Sequence, residues 1–172
     1  ANDCPYPVDA DTDPPTPLAF FDTMLSNLTI TQDELQNTDA YQLTRETIIE
    51  LANEVKQADG EFVLMYIPQK AELYWDYLDN EDQQKIITGL PTNSLVDSIS
   101  QDASITDNLD AQRNLLTNLA ETNDFDILDL TPFLTDAISQ GASPYFFADT
   151  HWNQIGHDIV HKILVDYLLQ LT

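Results

Sequence analysis

The sequence predicts a layered α/β domain built on a parallel sheet, because short strand-like runs alternate along the chain with longer stretches of helical periodicity. Two runs carry the sheet. Phe62-Val63-Leu64-Met65-Tyr66-Ile67 is continuously apolar and stops at Pro68, as expected of a strand covered on both faces. Phe125-Asp126-Ile127-Leu128-Asp129-Leu130 reads as a second strand. Two or three strands are few for a complete sheet of this kind, so the sheet is expected to be incomplete within these 172 residues.

Residues 1–38 differ in character from the rest of the chain. Asp9, Asp11, Pro14, Pro15 and Pro17 crowd one short stretch, where proline removes backbone donors and pushes its neighbours toward extended conformations. A Pro/Asp-rich extension or loop is expected there, with one domain over residues 39–172. Asp9-Ala10-Asp11-Thr12-Asp13 has the alternating acids that open a calcium loop. Its sixth and twelfth places hold Pro14 and Phe20 where an EF-hand needs Gly and Glu.

Leu43, Thr47, Leu51 and Val55, with Ile48 alongside, recur at helical spacing as far as Ala58, and Asp59-Gly60 supplies a stop. After Ala71 a helix carries Leu73, Tyr74, Tyr77 and Leu78, and short helical pieces continue through residues 81–100. A helix over about 108–121 presents Leu109, Leu115, Leu116 and Leu119. Thr131-Pro132 opens another, with Thr as cap and Pro in the first turn. The last runs from about Gln154 and offers Ile155, Ile159, Ile163, Val165 and Leu168 to the core.

Charge excludes several partners. Thirty acidic side chains against six basic ones give a formal net charge of −24, which repels phosphate backbones and anionic lipid headgroups. No apolar run approaches the ~18 residues of a membrane span, and no basic-then-apolar leader opens the sequence. Cys4 is the single cysteine, so no internal disulfide forms. No cofactor motif is present.

Chemistry concentrates near the C-terminus. In Asp149-Thr150-His151 a carboxylate two residues before an imidazole can bind one ring nitrogen and leave the other to take a proton from a nucleophile. No obvious nucleophile accompanies it: Ser26, Ser94, Ser98, Ser100, Ser104, Ser139 and Ser143 all lack the glycine-flanked strand–turn–helix setting that exposes a catalytic hydroxyl. His157 and His161 sit four apart with Asp158 between them, a partial zincin pattern without a third ligand, and structural use is the expectation. Trp152 reads as a wall of the site or as core. Lys70 reads as a substrate-facing cation or as half of an ion pair, and Tyr74, Trp75 and Tyr77 as core packing or a sugar-stacking surface. Asn27-Leu28-Thr29 is the sole glycosylation sequon.

Three segments resemble the SGNH, or GDSL, hydrolases, in the branch whose last block reads Asp-x-His-Trp. Ile67-Pro68-Gln69-Lys70-Ala71-Glu72-Leu73-Tyr74 is similar to the block after the central strand of these proteins, including relatives that O-acetylate polysaccharides. Ile127-Leu128-Asp129-Leu130-Thr131 is similar to their penultimate strand. Tyr145-Phe146-Phe147-Ala148-Asp149-Thr150-His151-Trp152-Asn153-Gln154-Ile155-Gly156-His157 resembles the terminal block, the most specific of the three. The resemblance implies a three-layer, flavodoxin-like parallel sheet flanked by helices. It makes His151 the base and Asp149 the residue that orients it. Trp152, Lys70 and Asn2 become candidate substrate-binding residues, with no metal.

The Gly-Asp-Ser nucleophile block and the two oxyanion-donor blocks of that family are not complete here. Most of the superfamily carries its serine ahead of Asp-x-His, and the alginate acetyltransferase-like branch carries it after; no serine occurs after His151. If Asn2-Asp3 is the tail of the Asn-Asp block, the chain is the C-terminal half of a longer protein, and the N-terminal half is a missing partner. The resemblance therefore implies a serine ester hydrolase or O-acyl transferase acting on acylated carbohydrate in an extracytoplasmic setting, with little turnover by this chain alone. The alternative is a non-catalytic glycan- or protein-binding module of the same ancestry.

Overall fold

The computed structural model describes residues 6–21, 25, 29–89 and 104–171. These form seven α-helices and two small sheets. They divide between two compact units, one drawn from Ala1–Leu25, Pro68–Pro91 and Leu130–Thr172 and the other from Ser26–Ile67 and Thr92–Asp129. The units interleave along the chain. No described helix is long and apolar enough to cross a membrane.

The second unit holds the parallel ladder. Helices α1 (Gln32–Gln36) and α2 (Asp39–Gln57) each start on a threonine: Thr31 Oγ1 accepts from the Glu34 N–H at 3.2 Å, and Thr38 Oγ1 from the Tyr41 N–H at 3.1 Å. Helix α2 ends at the expected stop, with Asp59 rather than Gly60 adopting the left-handed φ of 57° while the Gly60 N–H reaches back to the Val55 carbonyl at 2.9 Å. Strands β3 (Val63–Tyr66) and β4 (Asp126–Asp129) pair in parallel, from Val63 opposite Asp126 to Tyr66 opposite Asp129, with α5 (Ser104–Asn123) leading into β4. Tyr66, Leu116 and Leu119 form the buried cluster, joined by Ile48, Ile49, Leu64, Phe125 and Ile127. The inward face of α2 thus passes through Ile48 and Ala52, whereas Leu43 and Leu51 of the expected stripe are exposed. Helix α2 is apolar on two faces, and periodicity alone does not say which one tertiary packing covers.

The first unit begins with an antiparallel hairpin, β1 (Tyr6–Ala10) and β2 (Thr16–Phe20), where the proline content predicts a loop. The reason lies in the register. Ala19 donates its N–H outward to the Phe147 carbonyl at 2.9 Å, so Pro7–Ala19 and, two residues on, Asp9–Pro17 are the pairs that exchange no hydrogen bonds. Proline at such positions costs no ladder bond. Tyr6, Val8 and Ala10 turn inward, and Asp9, Asp11 and Asp13 are exposed. Thr12 Oγ1 closes the tip on the Pro14 carbonyl at 2.7 Å and Thr16 Oγ1 at 2.8 Å.

Helix α3 (Lys70–Tyr74), a 3-10 turn (Trp75–Tyr77), α4 (Asn80–Gly89), α6 (Thr131–Ser139) and α7 (Gln154–Gln170) complete this unit. The helical pieces expected after residue 89 fall outside the described residues. Leu18, Phe20, Tyr74, Ile86, Leu130, Leu134 and Ile138 are fully buried. Tyr74 and Trp75 are therefore core, as their helical spacing suggests. Two helix details differ from expectation. Leu130, not Thr131, is the N-cap of α6, with Pro132 inside its first turn. Helix α7 turns Gly156 and Val160 inward, while Ile155, Val165 and Leu168 are exposed.

Candidate functional site

The site is the turn between α6 and α7. Helix α6 stops where Gly141 takes φ 88°, a left-handed conformation in which a Cβ would also meet the Asp13 carbonyl oxygen at 2.6 Å. Beyond it the chain doubles back. Tyr145 and Trp152 face each other in an antiparallel bridge, and the Phe146 N–H donates to the His151 carbonyl at 3.2 Å. This closes residues 146–151 into a loop that presents Asp149 and His151 together.

Within that loop one carboxylate oxygen serves twice. Asp149 Oδ1 accepts from the His151 backbone N–H at 2.8 Å and also makes a short contact with His151 Nδ1. The backbone N–H bond is the larger cause, and the ring contact the next, of an Asp149 carboxyl held below its ordinary value of 3.8. The Nδ1 position is thus taken, which leaves Nε2 as the nitrogen that can exchange a proton with another molecule. Both side chains face solvent, His151 at 81% exposure and Asp149 at 50%.

Asn153 fixes the loop from below. Its Oδ1 caps α7 by accepting from the Ile155 N–H at 2.9 Å and the Gly156 N–H at 3.2 Å. Its Nδ2 donates to the Ser143 carbonyl at 2.6 Å and the Tyr145 carbonyl at 3.1 Å. One amide side chain therefore joins the strand entering the loop to the helix leaving it. Gly156 lets the two approach: a Cβ there would overlap the Pro144 carbonyl oxygen and lie 2.9 Å from Trp152 Cβ. Tyr145 anchors the loop to the start of α3 through a 2.6 Å bond from its hydroxyl to the Pro68 carbonyl, and burial pushes its phenol well above the usual range. Burial likewise pushes Tyr74 up to about 12, with Ser143 beside it opposing the shift.

Lys70 is not the solvent-facing cation the sequence suggests. It is 2% exposed, and its ammonium donates to the carbonyls of Ala19 at 2.8 Å, Phe147 at 2.9 Å and Phe146 at 3.3 Å. An ammonium has three hydrogens, and these bonds employ all of them, so the group has none to offer a substrate. The Phe20 ring centroid lies 5.3 Å from Nζ.

Trp152 is half-buried, its ring edge-on to His157 at a centroid distance of 5.7 Å. Asn2 lies outside the described residues. His157 and His161 are both exposed, and among the described residues no group of three or more His, Cys, Asp or Glu side chains is placed to hold a metal. Of the seven serines, only Ser139 and Ser143 have described side chains. The Ser139 hydroxyl donates to the Asp136 carbonyl at 2.7 Å, and neither serine is hydrogen-bonded to His151 among the described contacts. Asn153 and Tyr145 also carry sequence signals, an Asn one residue before a helix and a Tyr directly after a Ser-Pro pair.

No protein-family model matches the chain, and no curated protein does. Among solved structures, the chain is similar to the O-acetyltransferase domain of Pseudomonas putida AlgJ, with a TM-score of 0.52 and 21% identity over 77% of this chain. The match covers 40% of that domain's structure, so the chain corresponds to less than half of it. The likeness is one of fold: a mixed α/β arrangement shared with an acetyltransferase domain.

Proposed function

We propose that this chain carries the acid–base half of an SGNH-type serine ester hydrolase or O-acyl transferase acting on acylated carbohydrate. The observation that carries the reading is the Asp149–His151 contact, which commits Nδ1 to the carboxylate and presents Nε2 outward. In the reaction a serine hydroxyl attacks the acyl carbon as His151 Nε2 takes its proton. The imidazolium, stabilised by Asp149, returns that proton to the departing alcohol; water or a sugar hydroxyl then releases the acyl group by the same steps in reverse.

The fold likeness to an acetyltransferase domain supports acetyl as the acyl group. Phe146 and Phe147, each about half exposed beside the pair, supply apolar faces of the kind sugar rings stack on. In this reading β3 and β4 are neighbouring strands of a three-layer, flavodoxin-like sheet. Trp152 is a wall of the acyl site, and Asn2 an oxyanion donor. The serine comes from outside the described residues, and the protein works outside the cytoplasm.

A second reading, a non-catalytic glycan- or protein-binding module, draws on the high exposure of His151 and on the absence of a serine bonded to it among the described residues. Kinetics separate the two. The native polypeptide is assayed with p-nitrophenyl acetate and an O-acetylated polysaccharide, alongside His151→Ala. Loss of a base costs about a hundredfold to ten-thousandfold in kcat/KM. Turnover at equal rates in both favours the binding module.

A further inference from the structure

We infer that Lys70 is a positioning residue for the Asp149–His151 pair: its buried ammonium gathers the carbonyls that begin the loop and ties them to the hairpin. This rests on the reading of Asp149 and His151 as the working site. Phe146 and Phe147 immediately precede Ala148 and Asp149, and both of their carbonyls point at Nζ, 3.3 and 2.9 Å away. The third ligand is the Ala19 carbonyl at 2.8 Å, and the Ala19 N–H donates to the same Phe147 carbonyl at 2.9 Å. Lys70, Ala19 and Phe147 therefore form a closed ring of bonds. Three main-chain oxygens converging on one point repel one another unless a cation lies between them, so removing the ammonium removes the attraction that draws the start of the loop to this point. Burying a lysine charge is costly, and the convergence of three carbonyls with an aromatic face contributes to offsetting it.

Its place in the chain is what makes the device act on the site. Lys70 is the first residue of α3, directly after Gln69, and α3 is packed into the core through Ala71, Leu73 and Tyr74. The ammonium is therefore anchored on a rigid element, while its ligands lie on the turn that bears the chemistry. At the far end of that turn Asn153 holds the exit, so Lys70 and Asn153 clamp opposite sides of residues 148–152. With both clamps in place the Asp149 carboxylate is aimed at Nδ1 before any substrate arrives, and the orientation costs nothing at the moment of reaction.

The test compares wild-type protein, Lys70→Met and Asp149→Asn by ring 15N NMR of His151 and by 13C titration of the Asp149 carboxyl. In a folded Lys70→Met protein the His151 ring loses its single tautomer, as in Asp149→Asn, and the Asp149 carboxyl moves back up toward 3.8. A folded variant with wild-type tautomer and titration overturns the positioning role and leaves the Asp–His reading standing. A tautomer mixture in the wild type overturns both. If Lys70→Met does not fold, native-state hydrogen exchange on the wild type decides. The amides of Ala19, Phe146 and His151 then open with one free energy and one denaturant slope, because one clamp holds them. Independent opening of the His151 amide contradicts the inference.

Discussion

Asp149 receives two hydrogen-bond donors of His151 on one oxygen, the main-chain N–H and ring Nδ1, so the acid holds both the backbone and the ring of its partner. The same geometry sets the pH range of the contact. A carboxyl lowered by native hydrogen bonds contributes stability that is present above its unfolded value, near 3.8, and is lost as pH falls through the lower folded value. The Asp149–His151 contact is therefore intact at neutral pH and still intact at the ordinary carboxylate midpoint. A 13C titration of the Asp149 carboxyl shows its midpoint below 3.8, and His151→Ala raises that midpoint only in part, because the larger cause is the backbone N–H, which alanine keeps.

Gly156→Ala sets two effects against each other. Alanine favours the helix by about 1 kcal/mol. Its methyl group would have to enter space held by the Pro144 carbonyl and the Trp152 side chain, and main-chain oxygen does not swing aside. Overpacking of this kind costs about 1–3 kcal/mol, so the clash wins and the variant is less stable. Urea unfolding reports it as a lower midpoint at unchanged slope.

Asn153 separates capping from bracing. Asn153→Asp keeps an oxygen for the Ile155 and Gly156 N–H groups and loses the donation to Ser143 and Tyr145. Asn153→Ala loses both. The alanine variant is destabilised by about 2 kcal/mol or more, and the aspartate variant by less. Thermal melts of the two against wild type give the order.

How much of the fold and site is legible in the sequence depends on how local each signal is. Strand β3 is readable because an apolar run bounded by Pro68 needs no tertiary context, and β4 because Phe125, Ile127, Leu128 and Leu130 cluster just ahead of Thr131-Pro132. Asp149–His151 is readable because an acid and an imidazole two apart fold onto each other through a turn, a contact made within three residues. The hairpin escapes such reading because prolines 7 and 17 are harmless only in a register that composition does not reveal. The burial of Lys70 is not legible because the carbonyls it bonds come from residues 19, 146 and 147, distant in sequence on either side. The inward faces of α2 and α7 differ from the expected stripes because each helix has apolar residues to spare.

Alkaline pH supplies a further check. Burial raises the phenols of Tyr74 and Tyr145, so the stability they contribute is full below the unfolded value near 10 and is lost as pH rises through the folded values, about 12 for Tyr74. Ultraviolet titration at 295 nm shows at least two of the seven tyrosines still protonated at pH 11 and ionising only as the protein unfolds. In Tyr145→Phe the Pro68 carbonyl loses its donor, which lowers stability at neutral pH, while one of the ionisations that drive alkaline unfolding is gone, so stability falls less steeply above pH 10 than in wild type.

The proposed chemistry depends on one state of the His151 ring, with the proton on Nδ1 facing Asp149 and the lone pair on Nε2. Ring 15N NMR of the native protein above the histidine pKa measures it without substrate. The expected result is one tautomer, Nδ1 protonated and Nε2 bare, which Asp149→Asn converts to a mixture. A ring protonated on Nε2, or a mixture that Asp149→Asn leaves unchanged, contradicts it.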